Sequence, residues 1–534
     1  MESAELILML LVVSAAMAVL ADRLAIPYPL LLVLGGAALP FIPDLPRLSL
    51  DPETVFVLFV PPLLYRAAAT TSLRDFRANI RAISFLSVVM VLATMCAVAV
   101  VARALVPDLP WPAAFALGAI VSPSDAVTAL AVTRRLQVPR KIMTVLLGEA
   151  LVNDASALVA YRVAVAAALT GAFSLRTAAM EFLVDGLGGV LLGLALGRVI
   201  VAIRRRVRDM PTIDSTVSLL TPFAAYVPAE YLGWSGVLAV VSVGFYVGRW
   251  IPSMSSASRL QSDAMWEMIV FVLESLVFIF VGLELPYVFQ GLEGLRTSAA
   301  LGYAVAISAV VIGVRLVLVF PRAWLASAFD RWRGDRESPT NSRETFLVGW
   351  AGMRGGDSLV VALSLPLALH DGTPLPARSL VIFLTWAVIV MTLFVQGFSL
   401  RFVATRLRLP DDGNAEREER AARNRMVDAA LSELGRLAAN EHVSAGERSH
   451  LADIYARRVL LHAGGVETQP AVQYSRARLA LIGVERATLL RMRDDGEIGD
   501  DVMRRILRDL DFETSILEPR QRAVDAMSQA RPAP

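Results

Sequence analysis

The sequence predicts an all-α protein that crosses a membrane about thirteen times and continues into a soluble helical module. Of its 534 residues, 56% are hydrophobic, whereas soluble domains typically contain about 45–50% apolar residues. The excess lies before residue 409, in runs long enough to span a bilayer, and charged residues dominate after that point. We therefore predict a transmembrane domain over residues 1–408 and a helical tail over residues 409–534.

Apolar runs of sufficient or nearly sufficient length to span follow one another along the first domain. The first run follows Glu2 and Glu5 in place of a basic region, so we expect a retained helix and not a cleaved signal peptide. The second, third, eighth and ninth runs are the shortest. The runs cover residues 4–22, 28–43, 53–69, 80–106, 111–133, 142–169, 178–203, 214–231, 234–250, 264–289, 297–321, 345–369 and 378–403.

The basic residues between the runs predict the orientation of the chain. Clusters follow the odd-numbered runs, as at residues 134–141 and 204–208, whereas only single arginines follow the even-numbered runs. Positively charged loops lie mostly in the cytoplasm. We therefore predict a multi-pass protein of the cell membrane, with its N-terminus outside and its tail in the cytoplasm.

An odd number of spans is compatible with two inverted six-helix repeats joined by the seventh span. In transporters built from inverted repeats, the binding site lies at mid-membrane on discontinuous helices. The fifth and twelfth runs would correspond, and both are interrupted: the fifth by Ser-Pro-Ser-Asp at 122–125, the twelfth by Gly-Met-Arg-Gly-Gly-Asp at 352–357. Proline and glycine release backbone groups there, which can bind an ion or be met by half-helix dipoles.

Two carboxylates, Asp125 and Asp154, lie inside otherwise apolar runs. A charged side chain at the bilayer centre costs about 2.5–3.5 kcal/mol, which favours a functional role over the packing role that Ser or Asn would fill. Hard cations prefer oxygen ligands, and Ser124 and Asn153 adjoin the two carboxylates. Because burial favours the protonated form of a carboxyl group, a proton and a monovalent cation would compete for this site. Such competition, combined with alternating access, is an exchange mechanism.

Glu149 lies five residues before Asp154 and therefore faces another side of the same helix. It needs a cationic partner, and we predict Arg354 first and Arg315 second, as a structural ion pair. Two further charged residues are possible modulators. Arg66 is expected at the cytoplasmic rim, and Glu274 lies inside the tenth run.

Several function classes are disfavoured by composition. The net charge of +2 does not indicate a surface that binds nucleic acid. Cys96, the only cysteine, can form no intrachain disulfide. None of the four histidines falls within a predicted span, so we expect no histidine proton relay, and no motif indicates a cofactor. Apolar stripes at helical spacing in the tail favour either regulation of transport or stabilisation of a dimer or of the fold.

Six stretches of the first domain, in family order, resemble the NhaP/NHE-type monovalent cation:proton antiporters. GEALVNDASALVAY resembles their G-E-S/A-L-x-N-D motif, and SPSDAV resembles S-P-T-D-P-V. The other four are VPPLLY (60–65), FIFVGLEL (278–285), GWAGMRGGDSLVVALSLP (349–366) and LFVQGFSLRFV (393–403). The resemblance implies a secondary transporter, not an enzyme, that exchanges Na⁺, or else Li⁺ or K⁺, for H⁺ as a homodimer among membrane lipids.

The resemblance also implies residue roles. Asp154 would be the cation- and proton-binding carboxylate, Asp125 the aspartate of the unwound fifth helix, and Ser124 the replacement of the family threonine. Asn153 would assign the chain to the antiporters with Asn-Asp at this position, whose transport is usually electroneutral. Glu149 with Arg354 would match a structural ion pair. The chain departs from the pattern at Arg66, where relatives often have an acidic residue, and at Ala126, Ala150 and Glu274.

Four alternatives remain at this level. A K⁺/H⁺ antiporter and a solute:cation symporter would share the fold. An intramembrane aspartyl protease would need a GxGD motif, which Gly355-Gly356-Asp357 approaches without its spacing, and an ion channel would need a filter signature that is missing.

Overall fold

The computed structural model describes fifteen stretches of the chain, which contain helices and their connections but no β-strand. The chain divides into two compact units, Met1–Asp411 and Asp412–Pro534. The described stretches are residues 3–24, 26–41, 52–125, 139–170, 175–292, 296–333, 341–368, 373, 375–407, 414–439, 444–462, 469–495, 502–503, 506–507 and 509–514.

The helices of the first unit follow the order of the predicted apolar runs. Those before residue 250 are α1 Ser3–Leu24, α2 Tyr28–Ala38, α3 Pro52–Thr70, α4 Leu73–Ala78, α5 Ile80–Ser84, α6 Met90–Leu105, α7 Trp111–Val121, α8 Arg140–Thr170, α9 Leu175–Arg206, α10 Pro211–Tyr231 and α11 Gly236–Gly248. Those after it are α12 Ser256–Leu283, α13 Leu285–Gln290, α14 Thr297–Arg333, α15 Ser342–Trp350, α16 Asp357–Leu363, α17 Arg378–Thr392 and α18 Phe398–Leu407. Single π-helical turns at Phe85–Val89 and Leu393–Gly397 join α5 to α6 and α17 to α18.

By length and composition, six stretches of described helix could cross a membrane. They are Ile80–Leu105, Lys141–Thr170, Phe182–Arg206, Ser256–Gln290, Thr297–Trp324 and Arg378–Leu407. Four shorter apolar helices, Tyr28–Phe41, Phe56–Thr70, Trp111–Val121 and Gly236–Gly248, fall in the second, third, fifth and ninth predicted runs. The all-helical prediction is confirmed, whereas the count of thirteen spans and the two inverted repeats stay predictions.

Two helices are broken where proline and glycine interrupt the sequence. Helix α7 ends at Val121, and the chain continues without helical structure to Asp125, beyond which the rest of the fifth run lies outside the described residues. Helix α15 ends at Trp350, and α16 begins only at Asp357. Between them lie two adjacent glycines, Gly355 and Gly356, which disfavour helix by about 1 kcal/mol each relative to alanine.

Two large hydrophobic clusters and three smaller ones form the described interior. One gathers buried residues of α2, α6, α7, α12, α14, α16 and α17, and includes Leu117 and Phe383. The other gathers residues of α3, α8, α9, α10 and α11, and includes Tyr65 and Val240. Helix α8 contributes to both, through Leu151 on one side and Tyr161 on the other. Helices α7 and α16 therefore belong to the first cluster, whereas Leu347 of α15 packs in a smaller cluster with Ile142 and Leu146 of α8.

The second unit contains three long helices, α19 Asn414–Ala439, α20 Ala445–His462 and α21 Gln469–Asp494. Helix α20 begins with a reciprocal cap. Ser444 Oγ accepts the Glu447 N–H at 3.3 Å, and Glu447 Oε2 accepts the Ser444 N–H at 2.9 Å. This is the capping box that stabilises a helix N-terminus. The Ser444 hydroxyl also donates to Glu447 Oε2 at 2.7 Å, and this bond, with the one from the Ser444 N–H, lowers the pKa of the Glu447 carboxyl below its usual value.

Candidate ion-binding site

The two breaks are joined by a backbone hydrogen bond. The Asp125 N–H donates to the carbonyl oxygen of Met353 at 2.8 Å, which ties the segment after α7 to the segment between α15 and α16. The Arg354 N–H donates in turn to Thr392 Oγ1 of α17 at 3.2 Å. Backbone groups released from helical pairing thus find partners in the protein interior, as a membrane-embedded break requires.

Helix α8 holds the segment after α7 through two of the predicted site residues. Asn153 Nδ2 donates to the carbonyl oxygen of Ser124 at 3.0 Å and contacts Ser124 Oγ at 3.3 Å. Ser124 Oγ donates to Glu149 Oε1 at 2.6 Å. Asn153 is fully buried, and its Oδ1 has no hydrogen-bond partner among the described residues. Asn153 and Ser124 therefore fix the position of the break beside Asp154.

The ion pair of Glu149 differs from the prediction. Its partner is Arg315 of α14: Arg315 Nη2 donates to Glu149 Oε2 at 2.8 Å, and Nη1 contacts Oε1, with side chains only 2% and 1% exposed. Arg315 Nη2 also donates to the carbonyl oxygen of Val348 at 3.1 Å, and Nη1 lies 3.4 Å from Ser124 Oγ. Arg315 thus bridges α8, α15 and the segment after α7.

The prediction that Arg354 pairs with Glu149 was wrong. Arg354 Nη1 donates to the carbonyl oxygen of Gly352 at 3.0 Å, and Nε has no hydrogen-bond partner in the described part of the chain. A Cβ at Gly352 would lie 3.0 Å from Arg315 Cζ and closer still to Cδ and Nε. Because Gly352 has no side chain, the Arg315 side chain has the space that it needs to reach Glu149. The non-helical backbone of the break directs Arg354, so helical periodicity did not predict its orientation.

Two cavities adjoin Asp154. The wide cavity, of about 80 Å³, is lined by residues of α3, α8, α12 and α16 and by the segment after α7, and its wall includes Asp125, Asp154, Glu274 and Asp357. The narrow cavity, of about 30 Å³, is lined by Asp154, Asp357, Tyr161 and neighbours on α3, α7, α11 and α16. The structure thus brings Asp125 and Asp154 to one cavity, with Ser124 at its wall.

Asp357 is a carboxylate of this cavity that the sequence reasoning did not place in the site. A Cβ on Gly355 would collide with Asp357 Oδ1 and would lie 2.9 Å from Asp125 Oδ2, so these carboxylates flank one point. The signal was present in the sequence, because Asp357 is the last residue of the interruption in the twelfth run just as Asp125 is the last residue of the interruption in the fifth. Comparing the residues at the two interruptions of the predicted inverted repeats would have identified Asp357 as a site residue.

The two possible modulators lie in different surroundings. Arg66 Nη1 contacts Asp263 Oδ1 of α12 at 3.1 Å, and these side chains are 23% and 61% exposed. Such an exposed pair is worth about 0–1 kcal/mol. Glu274 is 6% exposed, accepts a hydrogen bond from the Tyr28 hydroxyl and lines the wide cavity.

The carboxylates surround a cavity and do not form a compact metal centre. Within the described segments, no three His, Cys, Asp or Glu side chains come together closely enough to hold a metal ion.

Comparisons with known proteins agree with this architecture. The family model described as sodium/hydrogen exchanger, transmembrane, matches residues 7–406. An uncharacterised Na⁺/H⁺ exchanger of Mycobacterium tuberculosis is 36% identical over 518 residues, which cover 94% of each chain.

A sodium, potassium, lithium and rubidium/H⁺ antiporter of Bacillus pumilus is 36% identical over 396 residues, covering 71% of this chain and 58% of the relative. Among solved structures, the sodium proton antiporter of Methanocaldococcus jannaschii superimposes with a TM-score of 0.57 and 18% identity, covering 76% of this chain and 98% of that one. The two chains therefore share a fold.

Proposed function

The chain belongs to the transmembrane sodium/hydrogen exchanger family, and from this premise we propose that it exchanges Na⁺ for H⁺ by alternating access at Asp154 and Asp125. The observation that carries the proposal is the position of Asp154, which lines both the wide and the narrow cavity. A carboxylate between two cavities can take an ion from one and release it to the other when the openings alternate.

The chemistry needs one site with two competing occupants. A deprotonated Asp154 binds the cation, and a protonated Asp154 is neutral and releases it. Either occupied form carries less net charge than the empty site, so it crosses the low-dielectric core at lower cost. Asp125 supplies a second anionic oxygen ligand, and Ser124 and Asn153 keep the segment after α7 in register with α8.

Glu149 and Arg315 stabilise the scaffold in this proposal and do not bind substrate. Their charges neutralise each other at the junction of α8, α14 and the segment after α7. Arg354 adds one positive charge to the break that carries Asp357, which offsets part of the repulsion among the carboxylates. Tyr28 holds Glu274 at the wall of the wide cavity.

Cation choice is the finer part of the proposal. The Bacillus pumilus relative is named for Na⁺, K⁺, Li⁺ and Rb⁺, which makes K⁺/H⁺ exchange the second candidate. Purified protein in proteoliposomes with an imposed pH gradient and an acridine dye tests both. We expect Na⁺ to restore dye fluorescence; a response to K⁺ alone would select the second candidate, and no response to any of the four cations would refute cation:proton exchange.

We also propose a location and an assembly. From the arginine distribution, we expect the N-terminus outside the cell membrane and residues 409–534 in the cytoplasm. These residues would form a module that regulates transport or stabilises a homodimer surrounded by lipid. Protease digestion of sealed inside-out vesicles should remove this module, while right-side-out vesicles should protect it.

Transport is expected to be electroneutral. Only Asp154 of the Asn153–Asp154 pair can carry a charge, so one cation should exchange for one proton. Moving one net charge would change the driving force by about 2.3 kcal/mol per 100 mV. Initial rates measured at valinomycin-clamped potentials of either sign should therefore coincide, and a several-fold difference between the two signs would contradict this stoichiometry.

The apparent cation affinity is expected to weaken as pH falls, because protons then occupy the carboxylates that the cation needs. For a single competing proton, the apparent KM rises by up to about tenfold per pH unit on the acidic side. The carboxylates titrate as a coupled set, so one apparent value would be observed.

The same dependence should appear in a chain truncated after Leu409, since the competition is local to the site. If truncation removed the pH dependence while transport persisted, the proton sensor would lie in the tail.

A further inference from the structure

The wide and the narrow cavity share three lining residues among those described: Val60, Asp154 and Asp357. One of these is apolar, so the polar contacts at the junction come from the two carboxylates. An ion that moves from one cavity to the other therefore comes within reach of Asp357 as well as Asp154.

The junction follows the turns of α8. Residues Leu147, Ala150 and Leu151 line the wide cavity, and Ala157, Leu158 and Tyr161 line the narrow one. Asp154 lies between these two groups along the helix and belongs to both. Successive turns of one helix thus face first one cavity and then the other.

Helix α16 is divided around its axis instead of along it. Val360 and Gly356, the residue before the helix, line the wide cavity, Ser358 and Val361 line the narrow one, and Asp357 lines both. Helices α8 and α16 therefore each bring one carboxylate, Asp154 and Asp357, to the junction of the two cavities.

A second observation at this junction indicates a ligand. Ser358 is 3% exposed, and its Oγ has no hydrogen-bond partner in the described part of the protein, although the residue lines the narrow cavity. A buried hydroxyl left unsatisfied costs about 1–3 kcal/mol. A neutral oxygen next to a carboxylate, both facing a cavity, is a donor set for a hard cation.

We propose that Asp357 and Ser358 Oγ bind the transported cation together with Asp154, so that the ion has a carboxylate ligand on α16 as well as on α8. The inference rests on the proposed cation:proton exchange and adds ligands to the same site. Asp125 and Asp357 approach the same face of Gly355, because a Cβ there would lie 2.9 Å from Asp125 Oδ2 and closer still to Asp357 Oδ1. The carboxylates of the two breaks are therefore neighbours at this junction.

The test uses purified full-length protein with two measurements: the apparent KM for Na⁺ in proteoliposomes, and the rise in melting temperature on adding NaCl instead of choline chloride. Asp357→Asn should raise the KM at least about tenfold, since even outer-shell partners of metal ligands have effects of that size. It should also remove most of the Na⁺-dependent stabilisation. Asp357→Glu, which keeps the charge, should restore part of both.

Ser358→Ala tests the same inference by the same two measurements if Asp357→Asn does not fold. Removing a hydroxyl that has no protein partner should leave the melting temperature without Na⁺ unchanged or higher, whereas loss of a ligand should raise the KM for Na⁺ a few-fold. The matched control is Asp108→Asn, which removes an exposed carboxylate between α6 and α7 and should leave both measurements at wild-type values.

A wild-type KM and a wild-type Na⁺ response in Asp357→Asn would overturn the inference, as would inactive Asp357→Asn protein that still binds Na⁺ normally. Wild-type values in Ser358→Ala would remove Ser358 from the ligand set, and if Asp357→Asn fails to fold they would overturn the inference as a whole. Asp154→Asn measured in parallel separates the two proposals. If it retains exchange, the proposed function fails, and if it alone is inactive, only the role of Asp357 fails.

Discussion

Replacing Asp154 by asparagine is expected to abolish cation-driven proton movement while the protein still reaches the membrane at near wild-type yield. Asparagine keeps the shape of the side chain but has no group that titrates and no charge to hold a cation. Asp154 lines two cavities, and within the part of the chain that the structure describes its carboxylate accepts no hydrogen bond, so folding should tolerate the change. Dye-monitored exchange in proteoliposomes, normalised to reconstituted protein, measures the effect.

Asp125→Asn should be nearly as damaging, because it removes a second anionic ligand from the wide cavity. The backbone hydrogen bond from Asp125 to Met353 does not involve the side chain and should survive this change. Asp108→Asn again serves as the control for loss of a carboxylate elsewhere. Exchange at the wild-type rate in Asp154→Asn vesicles would refute the assignment of this residue as the ion carrier.

Breaking the pair of Glu149 and Arg315 is expected to produce the largest loss of stability. Both side chains are almost fully buried and the contact is bidentate. Removing one partner of a buried ion pair costs about 3–5 kcal/mol, because the other charge is left unpaired in a low-dielectric interior. Glu149→Gln or Arg315→Gln should therefore lower yield and melting temperature in detergent far more than the apparent cation affinity.

A double-mutant cycle tests whether these residues act as a pair. Glu149→Gln combined with Arg315→Gln should be less destabilised than the sum of the single changes, since no isolated charge remains. Arg66→Gln is a matched control, because it removes an arginine from an exposed ion pair and should cost about 1 kcal/mol or less. Stable single variants with only a shifted cation affinity would instead indicate that Glu149 is a ligand.

The cycle also separates Arg315 from Arg354, the partner that the sequence favoured. Combining Arg354→Gln with Glu149→Gln should show little coupling, since Arg354 donates to the carbonyl oxygen of Gly352 and not to Glu149. Strong coupling between Glu149 and Arg354, with none to Arg315, would restore the original pairing.

The sequence by itself determined the class of the protein and most members of the site. Apolar runs and their interruptions depend on residue type alone, because the hydrocarbon core excludes unsatisfied backbone groups and isolated charges whatever the packing. That constraint pointed to Asp125 and Asp154 and to the breaks at 122–125 and 352–357. The ordered motifs pointed to the family that the comparisons then established.

Only the tertiary structure decided which side chains meet. The sequence offered Arg354 and Arg315 as partners of Glu149 and favoured Arg354, whereas the space above Gly352 and the backbone of the break assign Glu149 to Arg315. Asp357 could be read as one polar residue after two glycines until the structure placed it beside Asp125 and at the junction of two cavities. The physical reason is that composition and spacing report what a segment can bury, whereas the direction of a side chain at a non-helical break depends on backbone dihedrals that distant residues set.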